Sequence, residues 1–371
     1  MPSMMDYLAW RGDIPFSSSP LNEVDNLIFC ALSYLDYSGI LSDSFLNGMP
    51  LYELAERFAS SEDFEKKSKT GMLINPKTVE LLLYAAQTAR FKDCIVRSYV
   101  DKIDEATEKQ FSALTFTYMK NHHFTAFRGT DDTLVGWKED FNMAFLDAVP
   151  SQLEAVAYIT KALSVLRGRF ITGGHSKGGN LAAYAASCVP PLAANRITAV
   201  YNNDGPGFQK EILIKKNFQN MTKKLHTFIP QSSIVGLLLE HEEGYTIIES
   251  TETGIMQHDP FSWQIMGKEF VRSTSLTEES VFLDKTLKEW LSRVETKERE
   301  LFIDAFFNVL ETTKAKTLSD LANNWIKYSG SILKSLASMD SGTRDVIKNA
   351  FYILIQAAGS VKKQQAEQKK K

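Results

Sequence analysis

Gly174, Ser176 and Gly178 stand two residues apart in Thr172-Gly173-Gly174-His175-Ser176-Lys177-Gly178-Gly179-Asn180. The β-prone run Arg169-Phe170-Ile171 precedes them and the Ala-rich run Leu181-Ala182-Ala183-Tyr184-Ala185-Ala186 follows. A sharp turn from strand to helix forces its tip residue into strained dihedrals. Side chains two residues to either side would collide where strand and helix approach, so glycine is needed at both. A serine at that tip presents its hydroxyl at a helix N-terminus as a nucleophile. The Lys177 backbone N–H then lies free to stabilise an oxyanion. A phosphate-binding loop is the competing use of such a stretch, but neither the Walker spacing nor Gly-x-Gly-x-x-Gly is present.

A chain of 371 residues allows two or three domains, or one large domain with an appendage. Apolar residues make up 44% and aromatics 11%, enough for a substantial core. The net charge of −3 and a pI of about 6.1 give no global field for nucleic acid. Cys30, Cys94 and Cys188 lack metal-ligand spacing, and their sparse, odd number fits reduced thiols better than a disulfide framework. The first residues show neither a basic segment nor an apolar core of a signal peptide, and no apolar run reaches membrane-spanning length. The expectation is a soluble, cytoplasmic protein without metal or organic cofactor and of unknown oligomeric state.

The pattern of elements predicts an α/β fold. Residues 1–20 are expected to be an extended arm. Helices are expected over Asn22–Tyr37, over Leu51–Phe58, and from Asn75-Pro76-Lys77, with a polar loop from Ser60 to Lys69. Cys94–Val100, Phe111–Met119 and Phe124–Phe127 are strand-like. Lys120-Asn121-His122-His123 forms a hairpin turn that exposes both histidines. A helix from Thr133 and another over Ser151–Leu166 lead to the Ser176 turn. Ile197–Tyr201, Leu225–Ile229 and Tyr245–Glu249 are strands beyond it. Strands alternating with helices argue for a mostly parallel sheet. From about Thr277 only helical periodicity remains, through Leu321 and Trp325 to Phe351, and Lys362–Lys371 has a disordered composition. The expected organisation is a 1–275 catalytic-type domain with an N-terminal helical segment, a 276–360 helical region packed on it or capping its site, and a 361–371 basic tail. That tail has the charge to touch an acidic membrane surface, although composition favours a solvated tail.

Phe127-Arg128-Gly129-Thr130, Trp137 and Gly174-His175-Ser176-x-Gly-Gly together resemble the lipase class 3 branch of the α/β-hydrolase superfamily. More closely, residues 1–270 resemble a bacterial family of uncharacterised lipase-like proteins that share Gly136-Trp137-Lys138-Glu139-Asp140 and Gly174–Asn180. The resemblance implies a serine hydrolase acting on a small-molecule or lipid ester, with Thr130 supplying the second oxyanion N–H. It is weak for substrate, because one fold hosts esterases, lipases, peptidases and acyltransferases. The alternatives are an inactive binding or scaffold protein that kept the fold, or an acyltransferase or thioesterase using the same residues.

In that superfamily the order is serine, then acid, then histidine. Of the later histidines, His226 falls inside a strand and His241 in the charged Glu240-His241-Glu242-Glu243. His258 lies on a loop after a late strand, where the base belongs. The resemblance places the acid after the strand ending Phe228-Ile229-Pro230, yet Gln231-Ser232-Ser233-Ile234-Val235 holds no carboxylate. Asp204, one strand earlier, is taken instead: Asp204-Gly205-Pro206-Gly207 resembles the Asp-Pro-x-Gly-Pro turn of pancreatic-type lipases, whose acid occupies that earlier strand end. Adjacent strand ends lie about 5 Å apart, so a carboxylate there can still reach the histidine. Glu240, Glu242 or no acid at all are the alternatives. The Lys177 side chain is expected to be exposed. Asp131, Asp132 and Lys138-Glu139-Asp140 are expected to be caps and surface pairs.

Overall fold

The computed structural model describes residues 2–68, 75–241, 244–317, 320–321 and 324–368. Its frame is an eight-stranded sheet whose strands lie side by side in chain order. They are β1 Gly48–Pro50, β2 Ile95–Asp104, β3 Lys109–Met119, β4 His122–Phe127, β5 Arg169–His175, β6 Ile197–Asn203, β7 Leu225–Pro230 and β8 Tyr245–Ile248. Strands β1 to β4 pair antiparallel and β4 to β8 pair parallel, so the mostly parallel α/β sheet expected from the sequence is present.

Alternation along the strands sets two cores. Leu114, Phe116, Phe124 and Ala126 face a layer built from α1 Met4–Arg11, α2 Glu23–Leu32, α3 Leu51–Ala59, the short α4 Phe64–Lys67 and α5 Lys77–Ala85. Phe111, Ala113 and Phe127 face the other way, against α7 Pro150–Val165 and α8 Lys177–Cys188. Between β4 and α7 lies α6 Leu134–Asn142, opened by Thr133, whose hydroxyl accepts from Gly136 N–H at 3.2 Å. The short helices α9 Pro191–Ala194, α10 Lys210–Leu213 and α11 Lys216–Thr222 complete the parallel half.

Three expectations are corrected here. Residues 1–20 are not all extended. Met4, Tyr7 and Leu8 bury one face of α1, and Ser3 with Asp6 forms a reciprocal cap at its start. The hairpin turn is only Lys120-Asn121, with Asn121 at φ +60°, a conformation asparagine tolerates. His122 and His123 open β4 instead. His123 is buried against Phe170, accepts from the Thr117 hydroxyl at 2.9 Å and donates to the Arg167 carbonyl at 2.9 Å. Cross-strand pairing of His123 with Thr117 is what draws it out of the turn.

Buried within the first layer, Arg90 grips Asp25 of α2 through Nε at 2.7 Å and Nη2 at 2.5 Å, both side chains fully enclosed. Arg90 also donates to the carbonyls of Ile14, Ser19 and Pro20, so one guanidinium fixes both the extended segment after α1 and the start of α2. That anchor matters for the site, because α2 delivers Tyr34.

The C-terminal region is helical: α12 Glu278–Arg293, α13 Thr296–Glu311, then Trp325–Ser338 and Ser341–Gln368. Among the described residues it grips the sheet domain chiefly near α6 and beyond β7. Near α6, Lys138 Nζ meets Asp304 at 3.2 Å, Arg299 donates to the Ala144 carbonyl at 3.0 Å, and Leu134 packs with Ala315, Leu321 and Tyr328. Beyond β7, Thr277 N–H donates to Gln231 O at 2.8 Å and Ser280 Oγ to Ser233 O at 2.5 Å. The tail expected to be disordered is helical as far as Gln368, since lysine, glutamine and alanine propagate a helix once Ala357 and Val361 are packed. Lys369–Lys371, Lys69 of the polar loop, Glu242 and the Trp325 side chain lie outside the described residues. No described helix is long and apolar enough to cross a membrane.

Candidate active site

The parallel register places the candidate residues before any side chain is considered. Phe127 pairs with Gly174, Gly174 with Asn202, His175 with Asn203, and Asn203 with Phe228. The next residue along each strand is therefore Arg128, Ser176 and Asp204, at the carboxyl edge where α/β folds hold their ligands. Ser176 has φ +57° and ψ −137°, a strained setting for a residue with a side chain. Its N–H donates to Asn203 O at 2.9 Å. A Cβ on Gly174 would fall 2.1 Å from the Gly178 backbone, and one on Gly178 would fall 2.1 Å from Phe127 O, which is the crowding that demands glycine at both.

Asp204 is fully buried at φ +54°. It accepts His258 Nδ1–H on Oδ2 at 2.6 Å and the Ser233 hydroxyl on Oδ1 at 2.5 Å. Ser233 stands on the segment after β7, where the resemblance to lipases implied an acid. Here that segment supports the carboxylate one strand away. Asn180 of α8 donates to the carbonyls of Pro206 and Gly207, at 3.2 and 2.8 Å, and so clamps the Asp204 turn onto the helix that follows Ser176. Glu240, an alternative acid, points to Lys288 at 4.0 Å, while His226 stacks on Tyr201 in the sheet.

His258 ends the short 3-10 turn Gly254–His258. Gln257 roots that turn: its side chain accepts from Ser232 N–H at 2.7 Å and donates to Glu252 O at 2.8 Å, and its carbonyl accepts from Trp263 Nε1 at 2.9 Å. The residue before the serine supplies another anchor. His175 Nε2–H donates to the His258 carbonyl at 2.7 Å, and the two rings lie 4.5 Å apart between centroids. Because that carbonyl can only accept, Nε2 carries the proton, and Nδ1 is left to accept from the Tyr34 hydroxyl at 3.0 Å. The structure therefore joins Asp204 to His258 directly and sets His258 against the neighbour of Ser176. No hydrogen bond links Ser176 Oγ to His258 among the described residues; such contacts commonly tighten only when substrate arrives.

On the other side, Gly129 packs directly on the turn: a Cβ there would meet Tyr34 Oη, His175 O and Ser176 Cβ within 3.0 Å. Gly129, the residue before Thr130, therefore lies against the serine turn. Thr130 donates its hydroxyl to Asp140 Oδ2. The Lys177 side chain is not exposed, contrary to expectation. It runs inward, fully buried, donating to Glu139 Oε2 and Gln110 O at 3.0 Å each, with Asp140 Oδ1 at 3.5 Å. Glu139 is likewise buried and not a surface residue. It accepts from Gln110 N–H at 3.0 Å and Ser151 N–H at 2.7 Å as well. Lys138 is also largely enclosed, bridging Glu108 and Asp304. Burial alone would lower the Lys177 pKa, but Glu139 and Asp140 outweigh it and hold the ammonium above its ordinary value. Burial pushes the Asp140 carboxyl up to about 6 against the opposing pull of Lys177 and Thr130.

His175, Tyr34 and Ser233 are the residues that sequence reasoning missed. His175 lay inside the motif, and only the carbonyl 83 positions away gives it a role. Burial, with the neighbouring His258, holds the His175 pKa well below its ordinary value, so it is neutral when folded. In the unfolded chain it protonates below about pH 6.5. Its contribution to stability is thus present above that pH and is lost as pH falls. Urea denaturation at pH 8 and pH 5 is expected to show a smaller acid loss for His175→Asn than for the natural chain; equal losses would remove this account of His175.

Among the described residues no group of three or more His, Cys, Asp or Glu is disposed to hold a metal. A mostly parallel sheet with a strained serine between strand and helix defines an α/β-hydrolase type of fold. The chain belongs to the Mbeg1-like family, a lipase-like family whose model matches residues 85–308. Among solved structures, one described as the crystal structure of M37 lipase is similar at 14% identity, over 57% of this chain and 68% of that chain, with a TM-score of 0.33. No curated protein matches.

Proposed function

We propose that the chain is a serine hydrolase that cleaves carboxylic esters through Ser176, His258 and Asp204. The observation that carries this reading is the 2.6 Å bond from His258 Nδ1 to the buried Asp204 carboxylate, one register step from a strained serine. With Nδ1 occupied, His258 Nε2 is the nitrogen left to take the Ser176 proton. The serine oxygen then bonds to the ester carbonyl carbon. The backbone N–H groups of Lys177 and Thr130 hold the resulting oxyanion, each worth about 3–4 kcal/mol when preorganised. Collapse breaks the bond to the leaving alcohol, which receives its proton from His258. Water, activated by the same imidazole, releases the acid and restores the hydroxyl.

Two observations refine the substrate. The Lys177 ammonium is consumed by Glu139 and Asp140, so it does not select an anionic head group. Ile255 and Met256, just before His258, are 59% and 60% exposed and give the rim an apolar character suited to an acyl chain. Nitrophenyl esters of short and long chain, assayed with Ser176→Ala alongside, test the reading. The natural chain is expected to turn over the longer esters faster, and Ser176→Ala is expected to fall to the uncatalysed background. Undiminished turnover by Ser176→Ala would overturn it.

A further inference from the structure

Charge is distributed unevenly along this chain. Residues 321–371 carry nine Lys and Arg against three Asp and Glu, whereas the other 320 residues carry 33 against 42. The helix Trp325–Ser338 has Lys327 and Lys334 and no carboxylate. Its inner side, through Tyr328 and Ile332, packs on Leu134, Ala315 and Leu321. The opposite side, Ile326, Gly330, Leu333 and Ala337, follows i, i+4, i+7, i+11 and so forms one stripe. That stripe is apolar and uncovered: Ile326 is 89% exposed and Leu333 66%. Lys327 and Lys334 each follow one of its apolar residues and border it.

The next helix, Ser341–Gln368, adds a second basic and apolar face, with the carboxylate of Asp345 at its start and Phe351 partly packed on Phe302. Lys348, Phe351, Tyr352, Ile355 and Lys362 lie at i, i+3, i+4, i+7 and i+14, on one face. Phe351, Tyr352 and Ile355 are 51%, 59% and 71% exposed. Arg344 at its start donates to the carbonyls of Ala337 and Met339, at 3.1 and 3.0 Å, and so ties the ends of the two helices together.

We propose that these two helix faces dock on an anionic lipid bilayer. A bilayer surface satisfies both halves of the pattern: apolar side chains enter the boundary between headgroups and acyl chains while flanking lysines stay at the phosphates. A second copy of the chain fits less well. In a two-fold contact the same patch faces itself, so Lys327 and Lys334 would approach their own copies with no carboxylate on that helix to balance them. The proposal does not depend on the hydrolase reading, since none of these residues belongs to that site.

Flotation of the full chain with phosphatidylcholine vesicles, with and without phosphatidylglycerol, tests it. Binding is expected to the phosphatidylglycerol vesicles alone, and is expected to be lost near 1 M salt, where screening acts within about 3 Å. Replacing Ile326→Ser together with Leu333→Ser, or Lys327→Glu together with Lys334→Glu, is expected to lower partitioning by about tenfold or more. Unchanged melting would show that these exposed substitutions leave the fold intact. Ser176→Ala is expected to bind as the natural chain does, which separates this test from the catalytic one. No binding to the anionic vesicles overturns the proposal, as does binding that neither pair weakens. Self-association abolished by the serine pair, without vesicle binding, would instead assign the stripe to a second copy.

Discussion

Asp204→Asn is expected to lower kcat by about 10⁴-fold while the protein stays folded. The carboxylate accepts two donors, His258 Nδ1–H and the Ser233 hydroxyl, on its two oxygens. An amide has one oxygen for both, and its NH₂ group turned toward His258 would impose the wrong tautomer. It also lacks the charge that stabilises the imidazolium formed as the serine is deprotonated. Steady-state kinetics on a nitrophenyl ester, with circular dichroism to confirm folding, would measure the effect. A loss below about tenfold would show that Asp204 is only a turn residue and that the acid orienting His258 lies elsewhere.

Lys177→Met is expected to destabilise the fold by about 3–5 kcal/mol, because it leaves the buried Glu139 carboxylate without its counter-charge. The loss reaches beyond one pair. Glu139 also receives N–H groups from β3 and from the first turn of α7, so it joins three elements behind the serine turn. Adding Glu139→Gln to Lys177→Met removes the orphaned charge and is expected to restore part of the stability. Urea melts of the single and double variants give both numbers. Equal stability of Lys177→Met and the natural chain would mean that the ammonium is solvated and not enclosed.

How far the site was legible follows from how local each signal is. The Ser176 turn is encoded in seven consecutive residues, and its glycines meet atoms of neighbouring chain segments as the motif requires. Placing Asp204 on a strand end needed the resemblance of its turn to that of pancreatic-type lipases together with the rule that adjacent strand ends are neighbours, and the structure pairs its carboxylate with His258. Lys177 was misread because a cation at the start of a helix looks exposed. Its partners Glu139 and Asp140 sit in a helix 38 and 37 positions earlier, and no local pattern announces that they turn inward. His175 and Tyr34 were invisible for the same reason, meeting across 141 residues. The N-terminal helix was within reach: Ser3 and Asp6 are a capping pair, but the prolines and serines after Gly12 dominated the composition.

The most direct measurement is covalent: treat the purified chain and its His258→Ala variant with a fluorophosphonate and locate the adduct by peptide mass spectrometry. The account predicts phosphonylation on Ser176 of the natural chain, at a rate that His258→Ala reduces by about 10³-fold or more. An unmodified Ser176, or an equal rate in both proteins, would contradict it.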